Sequence, residues 1–294
     1  MWRICPPLAD KFLVPPVSVF DSKQGYWQKR KKEWKEIGLQ SQTGRDDNLL
    51  KYSKTIKERT NLTGTSIFDP VLCEVVYNWY CSPGGIVFDP FAGGSVRGVV
   101  AEMLGRKYIG IDLSEKQVDA NRTNADKLGV YPVWYCADSV DADLYIDDET
   151  ADLLFSCPPY HNLERYSNHP LDLSNMNYAD FLEAYREIIA TACRKLKQNR
   201  FAVWVIGDIR DTKGVYRDFP GVTKQIFKDN GLHLYNESVL LEQYGTAPMR
   251  AGKQFAAKRK VVKVHQNVLV FYKGDVKTIE PKDDFAFADL SKFK

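Results

Sequence analysis

The stretch Ile86-Val87-Phe88-Asp89-Pro90-Phe91-Ala92-Gly93-Gly94-Ser95 constrains the fold more than any other part of this 294-residue chain. Ile86, Val87 and Phe88 form a short apolar run, which suits a strand covered on both faces, as in a parallel sheet. An acid follows at the strand's carboxyl end, then a Gly-Gly turn, and Ser95 is placed to cap a helix over Val96 to Leu104. Strand, glycine turn and helix let a nucleotide-like ligand approach the backbone and meet a helix N-terminus. A second strand, Tyr108-Ile109-Gly110-Ile111-Asp112, ends in another acid 23 positions after Asp89. An acid at that spacing, on a neighbouring strand tip, can accept hydrogen bonds from ribose hydroxyls. There is no Gly-x-Gly-x-x-Gly, which argues against a dinucleotide dehydrogenase.

Strands keep alternating with helices downstream. A helix over Ser114 to Leu128 is stopped by Gly129, and a strand over Val130 to Cys136 runs into Ala137-Asp138-Ser139. Asp152 to Cys157 reads as another buried strand, and Phe201 to Ile206 as a fifth. Between them, Tyr178 to Lys197 carries Phe181, Tyr185, Ile188 and Ile189 at helical spacing, and Phe219 to Asn230 reads as the next helix. Upstream, Pro70 opens a helix with Leu72, Val75, Val76 and Trp79 on one face. Leu232 to Leu241 and Asn267 to Tyr272 are expected to pair antiparallel at the far edge. The expected fold is α/β: a doubly wound, mostly parallel, seven-stranded sheet with an antiparallel edge hairpin.

Three regions are expected. Residues 1–64 form a basic and aromatic extension with a polar loop, 65–274 form the main domain, and 275–294 form a tail. In the extension, Lys29-Arg30-Lys31-Lys32-Glu33-Trp34-Lys35 is either a solvated helix with Trp27 and Trp34 turned inward or a surface for a phosphate backbone. Net charge is only +3, so a nucleic-acid footprint has to come from local clustering. The insert 243–266 supplies one: no acid occurs from Gln243 to Gly274, against Arg250, Lys253, Lys258, Arg259 and Lys260 among its cations. Six scattered cysteines without a Cys-x-x-Cys pair argue against a metal site and for a reducing, cytoplasmic setting. No apolar run approaches a membrane span, and nothing in the sequence sets an oligomeric state.

Asp89-Pro90-Phe91-Ala92-Gly93-Gly94-Ser95 and Cys157-Pro158-Pro159-Tyr160 together resemble the S-adenosylmethionine (SAM) loop and catalytic loop of amino-group DNA methyltransferases. Those enzymes methylate adenine at N6 or cytosine at N4, and the resemblance runs from Gly64 to Lys273. It implies a Rossmann-like class I methyltransferase fold, SAM as cofactor and duplex DNA as partner, with the target base flipped out. It also implies that Asp89, Pro90, Phe91, Gly93, Gly94 and Asp112 hold SAM. Asp138 would lie near the adenine, and Ser66, Phe68 and Asp69 near the methionine end. Cys157 and the Pro158 carbonyl would accept the amine hydrogens, Pro159 would help stiffen the loop, and Tyr160 would stack on the base.

Cys157 departs from the pattern, which has Asp, Asn or Ser there, and a thiol is the weaker acceptor. Ser, its nearest isostere, goes with cytosine N4, whereas adenine is the commoner product, so the base stays open. Carbon-5 cytosine methylation uses a Cys after a proline, unlike this loop. Gln24-Gly25-Tyr26-Trp27, Leu163-Glu164-Arg165-Tyr166-Ser167 and Asp172-Leu173-Ser174 resemble a bacteriophage branch of the family. The alternatives are an RNA or protein-glutamine acceptor on the same fold, or a SAM-fold DNA-binding module disabled by Cys157.

Overall fold

Short apolar runs form the strands β1 (Val19–Asp21), β2 (Ile86–Asp89), β3 (Lys107–Asp112), β4 (Val133–Cys136), β5 (Ala151–Ser156), β6 (Leu196–Ile206), β7 (Leu232–Leu241) and β8 (His265–Lys273). Between them lie α1 (Pro6–Phe12), α2 (Gly25–Glu36), α3 (Pro70–Tyr80), α4 (Val96–Met103), α5 (Glu115–Asp126), α6 (Tyr178–Lys195), α7 (Phe219–Asp229) and α8 (Ala247–Lys258). The structure, a computed structural model, describes residues 6–39, 68–161, 169–242, 244–245, 247–282 and 284–293. Ser66, the polar loop expected over Ser41 to Thr65, and Leu163 to Ser167 lie outside the described residues.

The strands join one sheet in the order β1-β7-β8-β6-β5-β2-β3-β4, and among the described residues β8 alone runs against the rest. This is the expected mostly parallel α/β sheet, with two corrections. Among the described residues it has eight strands rather than seven, and the antiparallel pair β7–β8 is not the edge. β1 pairs in parallel with β7, Val19 opposite Val239, and Ser22 Oγ donates to the Leu241 carbonyl at 2.6 Å. Three residues are too few to show a period, so only the partner strand reveals β1.

Period-two alternation divides the core between the two faces. Val87, Leu153, Phe155, Val203 and Val205 face one side with α2, α3 and α4. Phe88, Leu154, Ala202, Trp204 and Ile206 face the other with α6 and α7. The N-terminal segment joins the first of these cores: Trp27 and Trp34 are fully buried, so the inward-packing reading of α2 holds. Lys29, Lys32 and Lys35 remain on its outer side. The C-terminal segment also enters that core through Leu290.

Candidate active site

β2 and β5 are neighbours, with Val87 opposite Leu153 and Phe88 opposite Leu154. From β2 the chain winds outward through β3 and β4, and from β5 the other way through β6, so the strand order reverses between them. Doubly wound sheets take ligands in the crevice at such a reversal, outside the carboxyl ends of the strands. The glycine turn leaves β2 at this point, and Cys157-Pro158-Pro159-Tyr160 leaves β5.

Asp89 is fully buried beneath the junction. Its carboxylate accepts from Arg97 Nε at 2.5 Å, Tyr108 OH at 2.7 Å, Ser156 Oγ at 2.5 Å and the Phe91 amide at 3.1 Å. Its bearing on a ligand therefore runs through the turn it shapes. Pro90 is buried, and its carbonyl accepts from Ser139 Oγ. Half-buried Phe91 packs against Tyr185 and Trp204 at ring separations of 6.2 and 6.0 Å. Gly93 takes a φ of +51°, which a residue with a side chain rarely adopts. Its amide donates to Asp112 Oδ2 at 2.8 Å, and its carbonyl accepts from Asn121 Nδ2 at 2.7 Å. Half-exposed Gly94 completes the turn. Ser95 occupies the N-cap of α4 but, against expectation, its side chain makes no capping bond.

Asp112 stands at the tip of β3, its other oxygen accepting the Ser114 amide at 2.9 Å. Burial pushes its carboxyl up to about 6, against the pull of the Ser114 and Gly93 amides. Asp138 caps the short 3-10 turn Ser139–Leu144 through the Val140 amide at 3.0 Å. Phe68 lies under the Arg97 guanidinium, 4.6 Å from ring centroid to carbon, and against Phe155. Asp69 caps α3 through the Val71 amide and takes Lys31 Nζ at 2.7 Å.

In the second loop Pro158 is buried, while Cys157, Pro159 and Tyr160 are half-buried. Cys157 Sγ lies 3.8 Å from Tyr160 OH. The Tyr160 ring lies over Gly207 at the end of β6, where an added Cβ would come 3.9 Å from Cζ. His161 follows in the left-handed region, φ +47°, uncommon for a residue with a side chain. Its buried ring holds the Met176 carbonyl at 3.1 Å and meets Tyr178 and Phe181 edge-on. The kink turns the chain away just after Tyr160.

Sequence reasoning passed over Arg97, Tyr108, Asn121, Ser156 and His161. One signal was available: Arg97 is a charge among Val96, Val99 and Val100, eight positions after an acid, and a buried charge needs a partner.

The insert, read from its charge alone as a basic segment, folds as α8 over half of its length. It leaves the carboxyl end of β7 and returns at the start of antiparallel β8, which puts it on the same rim as the two loops. Arg250, Lys253, Lys258 and Arg259 are exposed and Lys260 is half-buried. Met249 and Phe255 are exposed beside them, at 68% and 57%. No described helix is long and apolar enough to cross a membrane.

The residues present suit a nucleoside-bearing cofactor. The Gly93 turn is pinned from both sides, Gly110 lets Ala92 approach to a distance no Cβ would allow, and half-buried Asp112 stands at the rim. A reversed α/β sheet with this turn between paired strand tips is the Rossmann-like fold of class I methyltransferases, and S-adenosylmethionine is the cofactor that the chain's DNA methylase match supports. Residues 19–123 match the family model for DNA methylases (N6_N4_Mtase), and the chain is DNA methylase-like in that stretch.

Among solved structures, TrmN from Thermus thermophilus is similar at 19% identity and a TM-score of 0.49, over 74% of this chain and 50% of that one. This chain thus spans half the length of TrmN. A SAM-dependent methyltransferase from Methanosarcina mazei is 12% identical at a TM-score of 0.46, covering 67% of this chain and 96% of that one. A TehB-like SAM-dependent methyltransferase from Corynebacterium glutamicum is 16% identical at 0.43, covering 71% and 90%. None of the curated proteins compared matches the chain.

Proposed function

We propose that the chain is a DNA methyltransferase acting on the exocyclic amine of a flipped base, adenine N6 or cytosine N4. Its setting would be cytoplasmic, in a bacterium or a bacteriophage-infected host. One observation carries the reading: the Asp112-pinned glycine turn and the Cys157 loop leave neighbouring strand tips at the point where the sheet reverses. Asp112, Gly93 and Gly94 would hold the cofactor, with Asp138 on the adenine side and Phe68 at the methionine side. When bound, SAM supplies an electrophilic methyl group.

The chain's own task is to make the acceptor reactive. An exocyclic amine is a poor nucleophile because its lone pair is delocalised into the ring. Cys157 and the Pro158 carbonyl accept the amine's two hydrogens, which draws the nitrogen toward tetrahedral geometry and frees the lone pair. The prolines hold these acceptors in place before the base arrives. Tyr160, backed by Gly207, offers its face to the base. Holding nitrogen and methyl group in line is then the main source of rate.

Three results are expected. The Asp112 carboxyl accepts fully only when ionised, so SAM affinity should hold steady above pH 7 and weaken as pH falls through about 6. Folding stability should move in the opposite direction. Because the folded pKa is raised, the folded state retains a proton that the unfolded chain has lost between about pH 4 and 6, so stability declines as pH rises across that window. Calorimetric titration with SAM from pH 5 to 8 checks the first; a flat affinity counts against Asp112. The third result concerns α8. Changing Arg250, Lys258 and Arg259 to Gln should reduce the salt slope of duplex binding by about three counterions' worth. An unchanged slope would remove α8 from the interface. Transfer of a labelled methyl group from SAM into that duplex tests the function itself.

A further inference from the structure

The Asp89 carboxylate is divided between two duties. Oδ2 takes Arg97 Nε and Tyr108 OH, which fix it from below. Oδ1 takes the Phe91 amide, inside the cofactor turn, and Ser156 Oγ, on the residue just before Cys157. A single oxygen thus touches the starts of both loops. Arg97 doubles the hold on the turn, because Nη2 donates to the Phe91 and Ala92 carbonyls at 2.6 and 3.0 Å. Burial works against the guanidinium charge, but Asp89 more than restores it, so Arg97 keeps its charge. Hydrogen bonds to ionised groups are shorter and roughly twice as strong as neutral ones.

We propose that Asp89 is a strut shared by the two loops, and that Ser156 and Arg97 are positioning residues that set the spacing between the cofactor turn and the amine acceptors. The proposal rests on the methyl-transfer reading and adds the means by which the two loops are aligned. A misplacement of about 1 Å can cost on the order of a hundredfold in rate. Nothing in the sequence tied Ser156 to Asp89, 67 residues away.

Ser156→Ala tests this, because it removes one hydroxyl from a strand whose ladder with β6 is untouched. In the cofactor-free protein, hydrogen exchange at the Tyr160 and His161 amides should accelerate at least fivefold while β5 stays protected. SAM affinity by calorimetry should remain within twofold, and kcat at saturating SAM and DNA should fall about tenfold. A purely structural role would lower the melting temperature and leave kcat per folded molecule alone. If either loop exchange or kcat stays within twofold of wild type, the strut is overturned. Arg97→Lys keeps the charge but loses the fork to the two carbonyls, so it should weaken SAM binding about tenfold. Unchanged affinity would remove Arg97 from this role. A wild-type protein that binds SAM but methylates no nucleic acid would instead count against the methyltransferase reading, and the exchange experiment would still decide the strut.

Discussion

Glu74→Ala should lower folding stability by about 3–5 kcal/mol, the usual cost of removing one partner of a buried ion pair. Glu74 is fully buried on α3, and its carboxylate accepts from Arg30 Nε and Nη2, Trp34 Nε1 and the Ala288 amide at 2.7–2.9 Å. The substitution leaves the Arg30 guanidinium, itself buried against Phe287, without its main counter-charge. It also removes the acceptor of Trp34 Nε1 and of the Ala288 amide, which tie α2 and the C-terminal segment to α3. Replacing both charges with apolar residues of similar volume should recover much of the loss. Urea denaturation is the check. A Glu74→Ala midpoint equal to wild type would mean that this cluster does not hold α2 and the C-terminal segment to α3.

Tyr160→Ala should reduce methyl transfer by one to two orders of magnitude while SAM still binds. Stacking of a base on an aromatic side chain is worth about 1–3 kcal/mol. Cys157 sharpens the test. Cys157→Ser should keep substantial activity, because a hydroxyl is the better acceptor in nearly the same volume, and Cys157→Ala should lose more. A carbon-5 mechanism predicts that both changes are inactive, since Ser cannot replace a thiolate nucleophile. Full activity in Cys157→Ala would leave activation to Pro158 alone. Steady-state rates of the three variants at saturating SAM separate these outcomes.

How far the chain could be read in advance depended on whether a feature was local. The β2 run, the Gly93-Gly94 turn and the Asp112 tip are encoded within a few residues, so the reversed sheet and its crevice were legible. So were Ser114 as the cap of α5 and Asp69 as the cap of α3, where a short side chain serves its own next turn. What escaped depends on contacts across the sequence. β1 exists because β7 offers an edge, and Glu74 is a hub because residues 44 and 214 positions away converge on it. The burial of Asp89 was hidden for the same reason: position at a strand tip suggests a ligand, and only the tertiary partners show that four donors already surround the carboxylate. α8 was missed differently. Its alanines and first-turn proline are helical signals, but the density of charge drew the eye first.

The most direct test is to incubate the protein with SAM and duplex DNA, digest the product to nucleosides, and identify them by mass spectrometry. The account predicts N6-methyladenine or N4-methylcytosine, formed by the wild type and nearly lost in Tyr160→Ala. Methylation confined to RNA or protein, 5-methylcytosine as the product, or no methylated nucleoside from a SAM-binding protein would contradict it.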